Sequence, residues 1–201
     1  MFFADFQELL HRNEVPLSKV ISKICAVDAA YRGNRVVASA SVFDNGRPVE
    51  DSHYSGNCNF PYMPGLFYMR EGPFVVEAVR RLKVRPQLLC FDAHGAAHPR
   101  SAGLATICGM ILGIPSIGIA KSLLVGTVVP HEDVGRKEGL IVYNGKTVGL
   151  VVVINDVRRY WSPGYSVSLS KLQRLICDYA STCLLAMAES HRVARRLVLA
   201  G

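Results

Sequence analysis

The chain has 201 residues, 50% of them hydrophobic, and a formal net charge of +7. That apolar content excludes a disordered chain, and the length suits a single domain with a buried core, expected to span residues 1–201. The basic excess favours a polyanionic partner such as nucleic acid without establishing one.

Six cysteines (Cys25, Cys58, Cys90, Cys108, Cys177 and Cys183) fall mostly inside apolar runs and form no CxxC pair. They read as reduced core residues of a cytoplasmic protein, not as a zinc site or a disulfide framework. The opening residues include Asp5 and Glu8 and lack the basic start of a secretory signal. Ala102 to Ala120 is uncharged and about the length of a membrane span. Its four glycines and Pro115 punctuate it as a helix followed by a strand, so no membrane segment is expected.

Asp5 to Leu10 suits a short helix with Phe6, Leu9 and Leu10 on one face. Ile24 to Tyr31 reads as a buried strand with Asp28 in its middle. An unpaired buried carboxylate costs several kcal/mol, so a metal ion, a basic partner or backbone donors must compensate it. Arg32-Gly33-Asn34 turns the chain into a second strand, Val36 to Phe43, and Asn45-Gly46 is a hairpin signal into a third, Pro48 to Ser55. Pro61-Tyr62-Met63-Pro64-Gly65 suits neither strand nor helix and predicts a stiff loop with an exposed tyrosine. Glu71 stands just before Gly72-Pro73, at the start of a predicted helix reaching Leu82.

Leu88 to Phe91 suits a short buried parallel strand. It ends in Asp92-Ala93-His94-Gly95, which puts a carboxylate and an imidazole at the strand's carboxyl end, where ligand crevices form in open α/β sheets. Pro99 suits the first position of an apolar helix that Gly113 and Pro115 end. A second buried strand, Ser116 to Ala120, then delivers Lys121, so Asp92, His98 and Lys121 are expected at one crevice. Leu140 to Val142 and Val148 to Ile154 suit a hairpin around Asn144-Gly145. Trp161 to Tyr165 reads as a loop, and Ser168 to Lys171 opens a helix reaching about Ala188. His191 precedes a basic segment, Arg192 to Arg196, which suits either a grip on a nucleic-acid backbone or a solvated helix face.

Asp28, Glu71 and Asp92 all sit at element ends or in apolar surroundings, and three such carboxylates suit Mg²⁺, a hard cation with oxygen ligands. An ion there would orient a water against a phosphodiester and neutralise charge on the leaving oxygen. Glu71 also fits a plain charge favoured by a helix N-terminus, and Lys121 fits either a phosphate contact or a solvated lysine. His94, His98 and His191 suit proton transfer or a metal's surroundings, or are simply surface or satisfied core residues. Tyr62 suits stacking on bases or packing on its own fold.

The motifs VDAAY (Val27 to Tyr31), FPYMPGLFYMREGP (Phe60 to Pro73), FDAHGAAHPRSAGLA (Phe91 to Ala105) and IGIAKS (Ile117 to Ser122) together resemble the endonuclease V family. The resemblance runs from Ile24 through the final helix. It implies an α/β, RNase H-like fold, a mixed central β-sheet flanked by α-helices. It also implies a deoxyinosine 3′ endonuclease: Mg²⁺-dependent hydrolysis, with Mn²⁺ as a substitute, of the second phosphodiester bond 3′ to deoxyinosine in DNA, leaving a 5′-phosphate. Asp28, Glu71 and Asp92 would be the metal-binding carboxylates, joined in catalysis by His191 and Lys121. His98 would contact the phosphate region beside Lys121. Pro61, Tyr62, Met63 and Pro64 look like the wedge that separates strands beside the lesion. Gly95, Gly103, Leu104, Gly118 and Ile119 resemble the lining of the pocket for the flipped base, which suits the tight site that base flipping requires. The expected partner is DNA containing deoxyinosine, bound by a monomer. Inosine in RNA is the alternative substrate, and lesion binding without catalysis is the alternative from another class. The chain departs from the family pattern at Ala93, where glycine is usual, at His94, where asparagine or glutamine is frequent, and at Tyr165, where the pattern has histidine.

Overall fold

The computed structural model describes residues 16–18, 20–61, 63, 65–131 and 139–200. The helix predicted over Asp5 to Leu10 lies outside these residues. Among the described residues, nine strands form one mixed sheet: β1 (Lys23–Arg32), β2 (Arg35–Asp44), β3 (Arg47–Asn57), β4 (Leu88–Phe91), β5 (Ser116–Ala120), β6 (Thr127–Pro130), β7 (Gly139–Tyr143), β8 (Lys146–Ile154) and β9 (Val157–Pro163). Their order is β3-β2-β1-β4-β5-β9-β8-β7-β6. The centre, β1-β4-β5, is parallel, and antiparallel strands extend it on both sides.

The parallel centre is covered on both faces, so its strands are apolar almost throughout. Ile24 and Ala26 of β1, Leu88 and Cys90 of β4, and Ile117 and Ile119 of β5 pack with the helix α3 (Leu169–Ala200). The alternate residues Cys25, Val27, Leu89 and Phe91 pack against α1 (Phe67–Arg80) and α2 (Leu104–Leu112). Asn45-Gly46, Asn144-Gly145 and Asn155-Asp156 all have positive φ and close the antiparallel hairpins β2–β3, β7–β8 and β8–β9.

Four elements differ from the sequence expectation. Helix α1 begins at Phe67, not at Gly72, and carries Pro73 inside it. Pro73 has no N–H for the Met69 carbonyl, and Met69 is exposed, so water can replace that donor. Helix α2 opens at Leu104 with Gly103 as its N-cap; Pro99 does not start it, because Ser101 at φ 53° turns the backbone out of the helical region. Trp161 is not in a loop but lies in β9, fully buried between β5 and β8. Helix α3 continues past Ala188 to Ala200. Its buried stripe passes through Ser190, Val193 and Ala194, and Ser190 is satisfied by β2: Ser39 Oγ donates to the Ser190 carbonyl at 2.6 Å, and Ser190 Oγ donates to the Ser39 carbonyl at 3.1 Å. Among the described residues, no helix is long and apolar enough to cross a membrane.

Candidate active site

Strand β4 stops at Phe91, paired with Val27, whereas β1 runs on to Arg32. Asp28 is therefore the first β1 residue beyond its neighbour's end, and Asp92 is the first residue after β4, its N–H reaching the Val27 carbonyl at 3.4 Å. Strand alternation turns Asp28, Asp92 and Lys121 to the face that α3 covers. The Lys121 ammonium forms an ion pair with Asp92, and His191 of α3 places Nδ1 2.6 Å from Asp28 Oδ2. The Ala29 N–H donates to Asp28 Oδ1 at 2.8 Å. The carboxylate expected in mid-strand thus has a basic partner, and that partner is 163 residues away in the chain.

Glu71 approaches from the other layer, on α1, and is only 7% exposed. Burial pushes its pKa up to about 8, and the nearby Asp28 and Asp92 charges add to that. Burial also raises Asp28, with Asp92 reinforcing the shift and His191 opposing it. Three carboxylates thus repel one another at a single sheet edge. Among the described residues, however, no three acidic, histidine or cysteine side chains converge into a ready-made metal cage. Asp92 is instead engaged by Lys121, and Asp28 by His191. Two residues not assigned a role from sequence complete the surroundings. The Tyr31 hydroxyl is buried beside Glu71 and Arg70, and burial followed by the Glu71 charge raises its pKa. The Arg70 guanidinium lies 5.2 Å from the Tyr31 ring centroid and donates to the Phe60 carbonyl at 2.7 Å. Their only sequence signal was membership of the VDAAY and REGP motifs.

A cavity of about 370 Å³ opens beside this edge on the side of α1 and α2. Phe67, Tyr68, His98, Gly103 and Leu104 line it, and Asp92 and Lys121 stand at its margin. The loop at its mouth is held by Arg100, whose Nη1 donates to the Gly65 carbonyl at 2.9 Å.

The endonuclease V family model matches residues 6–194. The chain belongs to the endonuclease V family. An endonuclease V of Saccharolobus islandicus is 39% identical over 74% of this chain and 71% of its own length. The endonuclease V structure from Streptomyces avermitilis has a TM-score of 0.82 at 26% identity, covering 98% of this chain and 92% of that one. An endonuclease V of Ciona intestinalis, solved with a 23mer DNA containing an inosine followed by a ribo-adenosine, shares the fold at a TM-score of 0.76 and 18% identity, over 98% of this chain and 95% of that one. The sheet and its flanking helices are accordingly RNase H-like, and the chain is an endonuclease, a hydrolase of phosphodiester bonds.

Of the residues that the endonuclease V resemblance assigns to a base pocket, Gly103 and Leu104 line the cavity, as does His98. Gly95, Gly118 and Ile119 do not. Ile119 is fully buried in the core under α3. A Cβ on Gly118 would lie 2.4 Å from the Ala93 carbonyl oxygen, and one on Gly95 would lie 2.0 Å from that of Pro163. These glycines let three backbone segments meet beneath the cavity, and Ser162 Oγ accepts the Gly95 N–H there at 2.8 Å. Ala93 and His94, two points of departure from the family, do line the cavity. Burial lowers the pKa of His94, which favours the neutral ring. Tyr165, at the third point of departure, is buried, and its N–H donates to Ser116 Oγ at 2.8 Å. Pro61 and Met63 are exposed, while Tyr62 and Pro64 lie outside the described residues.

Proposed function

We propose that this endonuclease recognises deoxyinosine in DNA and, with Mg²⁺, hydrolyses the second phosphodiester bond on its 3′ side. The observation that carries this reading is one sheet edge holding Asp28, Asp92, Lys121 and His191 directly beside a cavity of about 370 Å³. That volume is of the size that takes a small ligand such as a base, and the Ciona relative solved with inosine-containing DNA supports inosine as that base.

The carboxylate set fits a hard divalent cation. Its donors are oxygens, and burial together with mutual repulsion raises Asp28 and Glu71, a cost that a cation offsets. Mg²⁺ usually takes one or two carboxylates and keeps waters or substrate phosphates, so a closed three-residue cage is not required. Asp28, Asp92 and Glu71 would hold it, and it would supply charge neutralisation at the phosphodiester. Lys121 offers a cation to the scissile phosphate at the mouth of the base cavity. An ionised Asp28 keeps the His191 proton on Nδ1, which leaves Nε2 as the acceptor for a proton from the attacking water.

The deciding experiment is nicking of a labelled duplex with one deoxyinosine, with Mg²⁺ and with EDTA. The expected result is a Mg²⁺-dependent nick one nucleotide beyond the inosine on its 3′ side, giving a 5′-phosphate. Cleavage only of a matched inosine-containing RNA would move the substrate to RNA, and tight binding without any nick would leave a lesion-binding protein.

A further inference from the structure

A second cavity, of about 490 Å³, lies on the opposite side of the same sheet edge, between α3 and the β8–β9 turn. It shares two lining residues with the base cavity, Asp92 and Lys121, and it also reaches His191. We infer that it is a second nucleotide subsite, which takes the nucleotide immediately 3′ to the cut bond. The inference rests on the function proposed above.

Three observations support it. The first is continuity. A strand whose base enters the cavity at Phe67 and Leu104, and whose phosphate lies over Lys121, meets the second cavity next. Recognition and cleavage then occur at separate places, which accounts for a cut displaced from the recognised base.

The second is surface chemistry. Leu184 and Met187 of α3 and Ile154 of β8 form an aliphatic wall. Leu185 and Val157, at 57% and 41% exposure, leave apolar surface open to water at the rim. A nucleobase laid between apolar side chains covers such surface and needs no aromatic partner.

The third is polar equipment on the hairpin. Asn155 is held at φ 49° in the β8–β9 turn and lines the cavity. Arg159 lines it as well; its Nη1 donates to the Arg158 carbonyl, whereas its Nε is buried without a partner. An amide and a guanidinium are the groups that hydrogen-bond base edges and phosphates. The volume is of the size that takes a nucleoside.

Two measurements test the inference. Single-turnover cleavage is compared for a deoxyinosine duplex and for one with an abasic residue just 3′ to the cut. The wild type is expected to cut the abasic substrate about tenfold more slowly, the loss of one base's apolar contact. The double variant L185S/V157S should cut the intact duplex at close to that reduced rate and lose little more on the abasic one. Equal wild-type rates on both substrates, or an undiminished penalty in the double variant, would overturn the subsite while leaving the proposed function standing. No cutting of the intact duplex by the wild type would overturn that function and this inference with it. Independently, 2-aminopurine placed just 3′ to the cut site, with Ca²⁺ replacing Mg²⁺, should change its fluorescence when the wild type binds. An unchanged signal would also overturn the subsite, whatever the fate of the variants.

Discussion

Asp92 is the residue on which both cavities and the carboxylate cluster converge. Replacing it with alanine removes a cation ligand and the partner of Lys121, but leaves the base cavity's apolar wall intact. Asp92→Ala is expected to abolish nicking while retaining binding of an inosine-containing strand in Ca²⁺, as measured by gel shift beside the cleavage assay. Residual nicking at the wild-type rate would remove Asp92 from the chemistry. His98 acts differently, because it is only 5% exposed, and burial, reinforced by the Arg100 charge, lowers its pKa. The folded state keeps it neutral, whereas the unfolded state takes up a proton below the ordinary value of 6.5. Its contribution to stability is therefore full above pH 6.5 and is lost as pH falls through the lowered folded value. His98→Asn should flatten the acid side of the stability profile between pH 7 and pH 5 in urea titrations; an unaltered slope would place the ring in solvent.

At the scale of elements, the pairing of α3 with β2 decides whether His191 meets Asp28. Ser39 lies opposite Asp28 in the β1–β2 ladder, and Ser190 precedes His191, so the two serine contacts set the height of the helix over the strand. Ser190 has no exposed surface. Ser190→Ala removes a hydroxyl but keeps the Ser39 bond to the backbone, so it should cost about 1 kcal/mol and leave cleavage near wild type. Ser190→Leu must push α3 outward and is expected to cost about 1–3 kcal/mol. It should also lower the single-turnover rate by separating His191 from Asp28. Thermal unfolding and cleavage kinetics of the pair check this, and equal activity in both variants would show that the His191 position does not depend on this contact.

For the whole molecule, the net charge of +7 matters through where it lies. Arg195 stands four residues after His191 on exposed α3 surface, hence on the same side of the helix, one turn beyond the proposed reacting centre. A phosphate contact there would contribute about 0.9 to the slope of log affinity against log salt. Arg195→Ala is expected to make that slope shallower by about this amount, in fluorescence anisotropy at several salt concentrations, without changing the preference for inosine. An unchanged slope would assign the basic turn to solvent.

The features legible before folding were local. The alternation and apolar runs of β1 to β5 were readable because strand periodicity and burial on both faces are written within a few residues. The asparagine–glycine turns were readable because few residue pairs accept positive φ at both positions. Asp92 and Lys121 were legible for the same reason, each standing one residue past a short buried strand. The VDAAY motif pointed to Asp28 and the wider family resemblance to His191, yet only the folded chain brings the two together, because α3 must first dock along β1 and β2. The start of α1 before Pro73, the extension of α3 past Ala188 and the burial of Trp161 in β9 were also decided non-locally. In each case a long-range packing or ladder contact outweighs what the nearby residues favour. Gly95 and Gly118 make the same point at the smallest scale. Their motif suggests a pocket lining, but what requires glycine there is the approach of distant backbone segments.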